Sequence, residues 1–285
     1  DVDPFSLEEV RLIIDRVRFQ ADNVADVGYA TINVLTNGQL WLYGANNVLT
    51  NALTIAGQGW QEGAIYGALR LQNSGVNYAG PITLAGGARI GAITTENWVT
   101  NTISGGYDLE GYGYDGNSRL VLSGHNTFSD LRVVNQWTYA TRPDAVGTGR
   151  VVMANGGFSP LNNDLIITNN LRAESTIHVG YHPTAASRRS LTWVGNWDLN
   201  GASRVVNVYN TNTLLGSVTN GGLEIAQDGL MIFSNDVRVS NLYVDYNGAN
   251  GRLRQVGGTV TVANAAGDLF RIGHWPTAGT YVLED

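Results

Sequence analysis

The chain has 285 residues and a formal net charge of −7, with 17 basic side chains, every one of them Arg, and neither Lys nor Cys. An acidic balance argues against a nucleic-acid partner, which requires a basic face. The missing Cys excludes a disulfide framework and thiolate metal sites, and the missing Lys excludes crosslinks through a lysine amine.

There are 36 Gly and 6 Pro, and charged residues make up 14%, against about 25% in ordinary globular chains. A hydrophobic content of 43% with 7 Trp excludes disorder. No apolar run is long enough to span a membrane, so no insertion is expected. The chain starts at Asp1 without Met, which reads as a mature or excised piece. Zero Cys fits an exported bacterial protein that folds without redox chemistry.

In chain order, the first element predicted is a helix. Ser6 with Glu9 forms a capping box, and Leu7, Val10, Ile13, Ile14 and Val17 follow at helical spacing among charged residues. Residues 1–27 are therefore expected to cap the first coil or, alternatively, to clasp a neighbouring subunit. From about Gly28 to residue 285 the pattern is strand, turn, strand. The expected strands are Ala30–Leu35, Leu40–Tyr43, Leu53–Ala56, Ala68–Leu71, Pro81–Leu84, Leu120–Leu122, Leu131–Val134, Arg150–Met153, Leu165–Thr168, Thr176–Val179, Leu191–Val194, Ser203–Tyr209, Leu223–Ile225, Leu230–Phe233, Val237–Tyr246, Thr259–Val262, Leu269–Ile272 and Tyr281–Leu283. The Gly- and Asn-rich turns between them would also suit hairpins, but the strands outnumber those of any two-sheet sandwich. Phrases also recur, as in VGYHPTA from Val179 and IGHWPTA from Ile272. The reading is all-β: a right-handed parallel β-helix, or β-solenoid, of ten to twelve coils with a short N-terminal α-helix. Leu120, Leu122, Val151 and Ile166 are expected to stack inward, and Asn and Thr at turns to form ladders.

Several phrases carry a family likeness. LVLSGHNTFS, Leu120–Ser129, with DLRVV after it, resembles the autotransporter-associated β-strand repeat of exported bacterial passenger proteins. Gly67–Ala92, Asn196–Val208 and Arg271–Leu283 are similar to other such segments. The resemblance implies a right-handed parallel β-helix on the outside of a bacterium, in a stalk, adhesin or surface fibre. It implies no activity, and the chain lacks the family's C-terminal membrane barrel.

Chemical motifs read weakly. Gly111, Gly113 and Gly116 spell a dinucleotide fingerprint, but a strand follows where a helix is needed. His178 and His182 are four apart, a spacing that converges on a metal only on a helix; His125 and His274 have no acidic or histidine neighbour. Asp108 and Glu110, with Asp115 following, share one strand face as glycosidase or lyase carboxylates would, although solvent exposure alone accounts for them. Asp245–Gly251 has the flavour of a calcium loop but no closing Glu. No catalytic residue, cofactor or metal is expected. Alternation sends Trp41, Tyr43 and Tyr243 outward as exposed aromatics for glycans or partner subunits, while Trp60, Tyr66, Trp98, Trp137 and Tyr139 lie near turns.

The last strand, with Tyr281 and Leu283, has no cap after it, and an uncapped coil is a template for strand addition. The expected function is an extracellular structural protein joining head to tail into a surface filament, with Leu7, Val10, Ile13, Ile14, Val17, Tyr281 and Leu283 at the joint. The alternative is an adhesin or glycan-binding stalk segment. A polysaccharide-degrading enzyme is the third reading.

Overall fold

A β-branched or Leu-rich run that alternates in and out can bury one face only by pairing with others like it. In the structure, a computed structural model describing residues 10–245, 250–263, 270–273 and 280–283, these runs pair with one another in parallel. The result is a β-solenoid of about 12 turns, 52% strand and 4% helical.

Each coil visits three walls. The first carries Arg11–Ile14, Thr31–Val34, Leu53–Gly57 and the start of Ile82–Ala92. It later resumes as Leu165–Ile167 through Thr280–Leu283. The second runs unbroken from Arg18–Ala21 to Val260–Val262, and the third from Val48–Leu49 to Phe270–Ile272. Coil length is not constant: Leu223 stacks on Leu242, 19 residues on, whereas Leu53 stacks on Ile82, 29 residues on. The extra length is an excursion. Gly57 to Gly67 leaves the first wall and folds over the second, and Tyr181 to Ser190 leaves the third wall and folds back over it.

The phrase LVLSGHNTFS shows how residue types set this geometry. Leu120 and Leu122 are fully buried in the third wall. A Cβ at Gly124 would lie 2.0 Å from the Asn101 carbonyl oxygen one coil below, so the corner accepts only glycine. On the first wall, where the ladder lapses, the Asn126 side chain takes over: its Oδ1 accepts from the Ile103 N–H at 2.7 Å and its Nδ2 donates to the Ala145 carbonyl at 2.7 Å, bridging three coils. Phe128 then fills the core.

Asparagines satisfy the corners elsewhere too. Asn51, Asn101, Asn169 and Asn235 donate side-chain amides to carbonyls one coil below. Asn155 Nδ2 donates to Asn135 Oδ1 at 2.7 Å, with both residues left-handed at φ 62° and 52°. The expected amide-to-amide ladder is thus found at Asn135 and Asn155, while the other corner amides reach backbone carbonyls instead.

Three expectations change. Arg11–Ile14 is a strand on Thr31–Val34, not part of a helix, and the coil is already under way there. Val10, Ile13, Ile14 and Val17 are all β-branched and suit a pleated surface better than a helix turn; Ser6, Leu7 and Glu9 lie outside the described residues. Ile166 points outward at 56% exposure, because Leu165 and Ile167 take the inward places of an all-apolar triplet whose phase alternation cannot set. The run Val237–Tyr246 is two strands, Val237–Val239 and Leu242–Val244, on different walls.

The inward column predicts an asymmetry. Leu122→Ala should destabilise by about 2–5 kcal/mol, and Ile166→Ser by no more than about 0.5 kcal/mol, measured by denaturant unfolding.

Candidate functional site

Outward residues of a parallel coil stack directly on their equivalents, so charges on one wall meet in columns. On the second wall Arg89, Glu110 and Arg132 occupy successive coils in register. Arg89 Nε lies 2.5 Å from Glu110 Oε1, Arg132 Nε 3.5 Å from Glu110 Oε2, and Arg132 Nη1 2.6 Å from Glu174 Oε2. Arg172 continues the chain, with Nε 3.8 Å from Glu174 and Nη2 2.8 Å from Asn200 Oδ1. These side chains line a groove of about 380 Å³.

A second column precedes the strands of this wall. Asp108 accepts from the Asp130 N–H, Asp130 from the Arg150 N–H, Asn170 from Asn196 N–H, Asn196 from Ser217 N–H and Asp236 from Thr259 N–H, each at 2.6 to 3.1 Å. Each carboxylate or amide thus satisfies the corner of the next coil. Asp130 also holds the Arg150 guanidinium at 2.7 Å, and that hydrogen bond, followed by the charge, raises Arg150 above its ordinary pKa. At Asp198 partial burial works to raise the carboxyl, but hydrogen bonds from Asn200 and Asn220 with Arg172 and Arg150 nearby outweigh it, and its pKa is lowered. Asp108 and Glu110 therefore sit in a groove with arginines on both sides, an arrangement alternation alone could not locate. Each is engaged in holding coils together.

The third wall carries the aromatic concentration. Trp137 lies flat over Gly157, where a Cβ would meet the indole at 2.2 Å. The excursion after Val179 returns Tyr181 to 4.7 Å from Trp137 and 4.8 Å from Tyr209, and Arg188 lies over both tyrosines. His178 Nδ1 is 3.2 Å from the Tyr209 hydroxyl, and burial lowers the imidazole pKa. His182 packs on Tyr139 and faces Glu96 at 3.5 Å. Each histidine thus packs on rings, His178 on Trp137 and Tyr209 and His182 on Tyr139. Among the described residues no three His, Cys, Asp or Glu side chains group as metal ligands would.

The exposed-aromatic candidates fare unevenly. Leu40 and Leu42 are buried and Trp41 faces outward as expected. Its ring is covered, with Arg18 at 4.5 Å, Arg70 at 4.4 Å and Tyr43 edge-on at 5.1 Å. The covering arginines come from neighbouring coils, and Glu62 of the 57–67 excursion grips both of them. Tyr43 is exposed, and Tyr243 faces outward with the Arg271 guanidinium 5.9 Å away. Of the joint candidates, Val10, Ile13, Val17 and Leu283 are exposed, Tyr281 packs partly against the core, and Ile14 is buried in it. Strand alternation splits Ile13 from Ile14, so Ile14 is corrected from joint to core. Gly111 and Gly113 lie in the strand Leu109–Gly113, His125 pairs with Asp144, and Asp245 Oδ1 accepts from the Gly251 N–H at 3.2 Å. His274 and residues 246–249 lie outside the described residues.

Compared with known protein families, curated proteins and solved structures, the chain matches none of them.

Two outcomes follow. Glu110→Gln should cost about 1–3 kcal/mol, since it weakens the charged hydrogen bond from Arg89 and removes the ion pair with Arg132, read by denaturant unfolding. An unfolded His titrates near about 6.5, above folded His178, so the unfolded state binds more protons as pH drops through that region. Stability should fall on acidification below about pH 6.5, and the slope between there and the onset of carboxylate titration should flatten in His178→Gln.

Proposed function

We propose that the protein is an extracellular structural solenoid whose copies join head to tail into a filament. The supporting observation is the pair of open edges at the two ends of the described coil. Among the described residues the strand ladders begin at Arg11–Ile14 and Arg18–Ala21 and finish at Val260–Val262, Phe270–Ile272 and Thr280–Leu283. Apolar side chains accompany both edges: Val10, Ile13 and Val17 at one, Phe270, Ile272, Val282 and Leu283 at the other, each at least 39% exposed.

The two edges are complementary by construction. A parallel coil leaves unpaired backbone groups facing up at one end and down at the other, so a second copy continues the register. Such a contact is heterologous and does not close, which yields fibres. The resemblance of the repeat phrases to exported bacterial passenger segments and the absence of Cys support an extracellular setting. Asp108 and Glu110, held by neighbouring coils, support a structural over a hydrolytic role.

Electron microscopy and light scattering over a concentration series should show filaments growing with concentration. Ile13→Glu and Leu283→Glu each block one end, so either variant alone should stay monomeric and an equimolar mixture should give heterodimers. A wild type that is monodisperse at high concentration, or single variants that dimerise with themselves, would overturn the proposal.

A further inference from the structure

Among the described residues one tryptophan is placed differently from the rest. Trp41 lies between guanidinium groups, Trp98 packs against the Trp137 and Tyr139 cluster, Trp137 stacks on Tyr181, and Trp193 and Trp197 are buried. Trp60, on the 57–67 excursion, is half-buried beside a cleft of about 620 Å³. Thr36, Asn37, Gln58 and Gln61 supply uncharged donors and acceptors around it, and Arg16 supplies its charge.

Arg16 is itself unusual. Its φ of 53° is left-handed, whereas every other described non-glycine residue with positive φ is Asn, Asp or Gln. Asn and Asp tolerate that conformation through local hydrogen bonding, which Arg lacks. A strained residue of the wrong type at a cleft points from conformation to function. The guanidinium is exposed and enters none of the ion pairs of the described residues.

We propose that this cleft binds a carboxylated sugar unit, its ring lying against the Trp60 indole and its carboxylate paired with the Arg16 guanidinium. An indole face suits the apolar C–H face of a pyranose, neutral amides suit its hydroxyls, and a planar guanidinium receives a carboxylate in a two-pronged pair. A net charge of −7 disfavours a uniformly anionic polymer, so the site fits an oligosaccharide with a single acidic residue. This inference is independent of the assembly, and its test uses protein dilute enough to be monomeric.

The test is titration calorimetry with neutral oligosaccharides ending in one glucuronate, galacturonate or sialate, each beside its methyl ester. At least one free acid should bind, and its ester about tenfold more weakly, as loss of a charged hydrogen-bonded pair implies. Trp60→Ala should abolish binding while Trp60→Phe keeps most of it. Arg16→Gln should weaken the acid about tenfold and leave the ester unchanged. Equal affinity for acid and ester would overturn the Arg16 assignment. No binding by any acid, or full binding by Trp60→Ala, would overturn the site.

Discussion

Parallel stacking in register is the constraint on which this protein depends. Each residue lies about 4.8 Å from its equivalent in the next coil, so one choice of residue type is repeated into a column. Apolar choices become a continuous core: Leu109, Leu131, Val151 and Leu171 follow one another on the second wall, all buried. Charged choices become zippers of alternating sign. Isolated pairs on a surface contribute little, but here Glu110 sits between Arg89 and Arg132, and Glu174 between Arg132 and Arg172, at no extra ordering of the backbone.

The corners are where such a fold risks unpaired backbone groups. Strand ladders satisfy the walls, but the chain must turn three times per coil, and each turn frees N–H and C=O groups. The composition answers this. Asp and Asn before the second wall accept the N–H of the next coil, and Asn amides elsewhere reach carbonyls of the previous one. The high Asn and Gly content is thus the chemistry of corners, and the low charge content leaves the remaining ionic groups to the columns.

Function on a uniform rod comes from departures from uniformity. The 57–67 excursion brings Glu62 and Tyr66 over the second wall and opens the Trp60 cleft, and the 181–190 excursion builds the ring cluster on the third. The lapse of the first-wall ladder between Ile103–Ser104 and Leu165–Ile167 is another departure, filled by the Asn126 side chain.

Period-two alternation, short runs and recurring Gly–Asn corners determined the parallel solenoid and most of its inward residues, because a local pattern repeated along the chain has only one economical way to bury itself. The N-terminal strand is illegible because Val10, Ile13, Ile14 and Val17 fit a helical stripe while Leu12 and Ile14 fit strand alternation, and only pairing with Thr31–Val34 selects between them. Ile166 lay in an all-apolar triplet without phase, and Trp41 looked exposed because its covering arginines come from other coils. What the tertiary structure alone decided were contacts between residues some twenty or more positions apart, such as Arg89 with Glu110 and Trp137 with Tyr181. Their meeting depends on coil length, and coil length is set by excursions that carry no periodic signal.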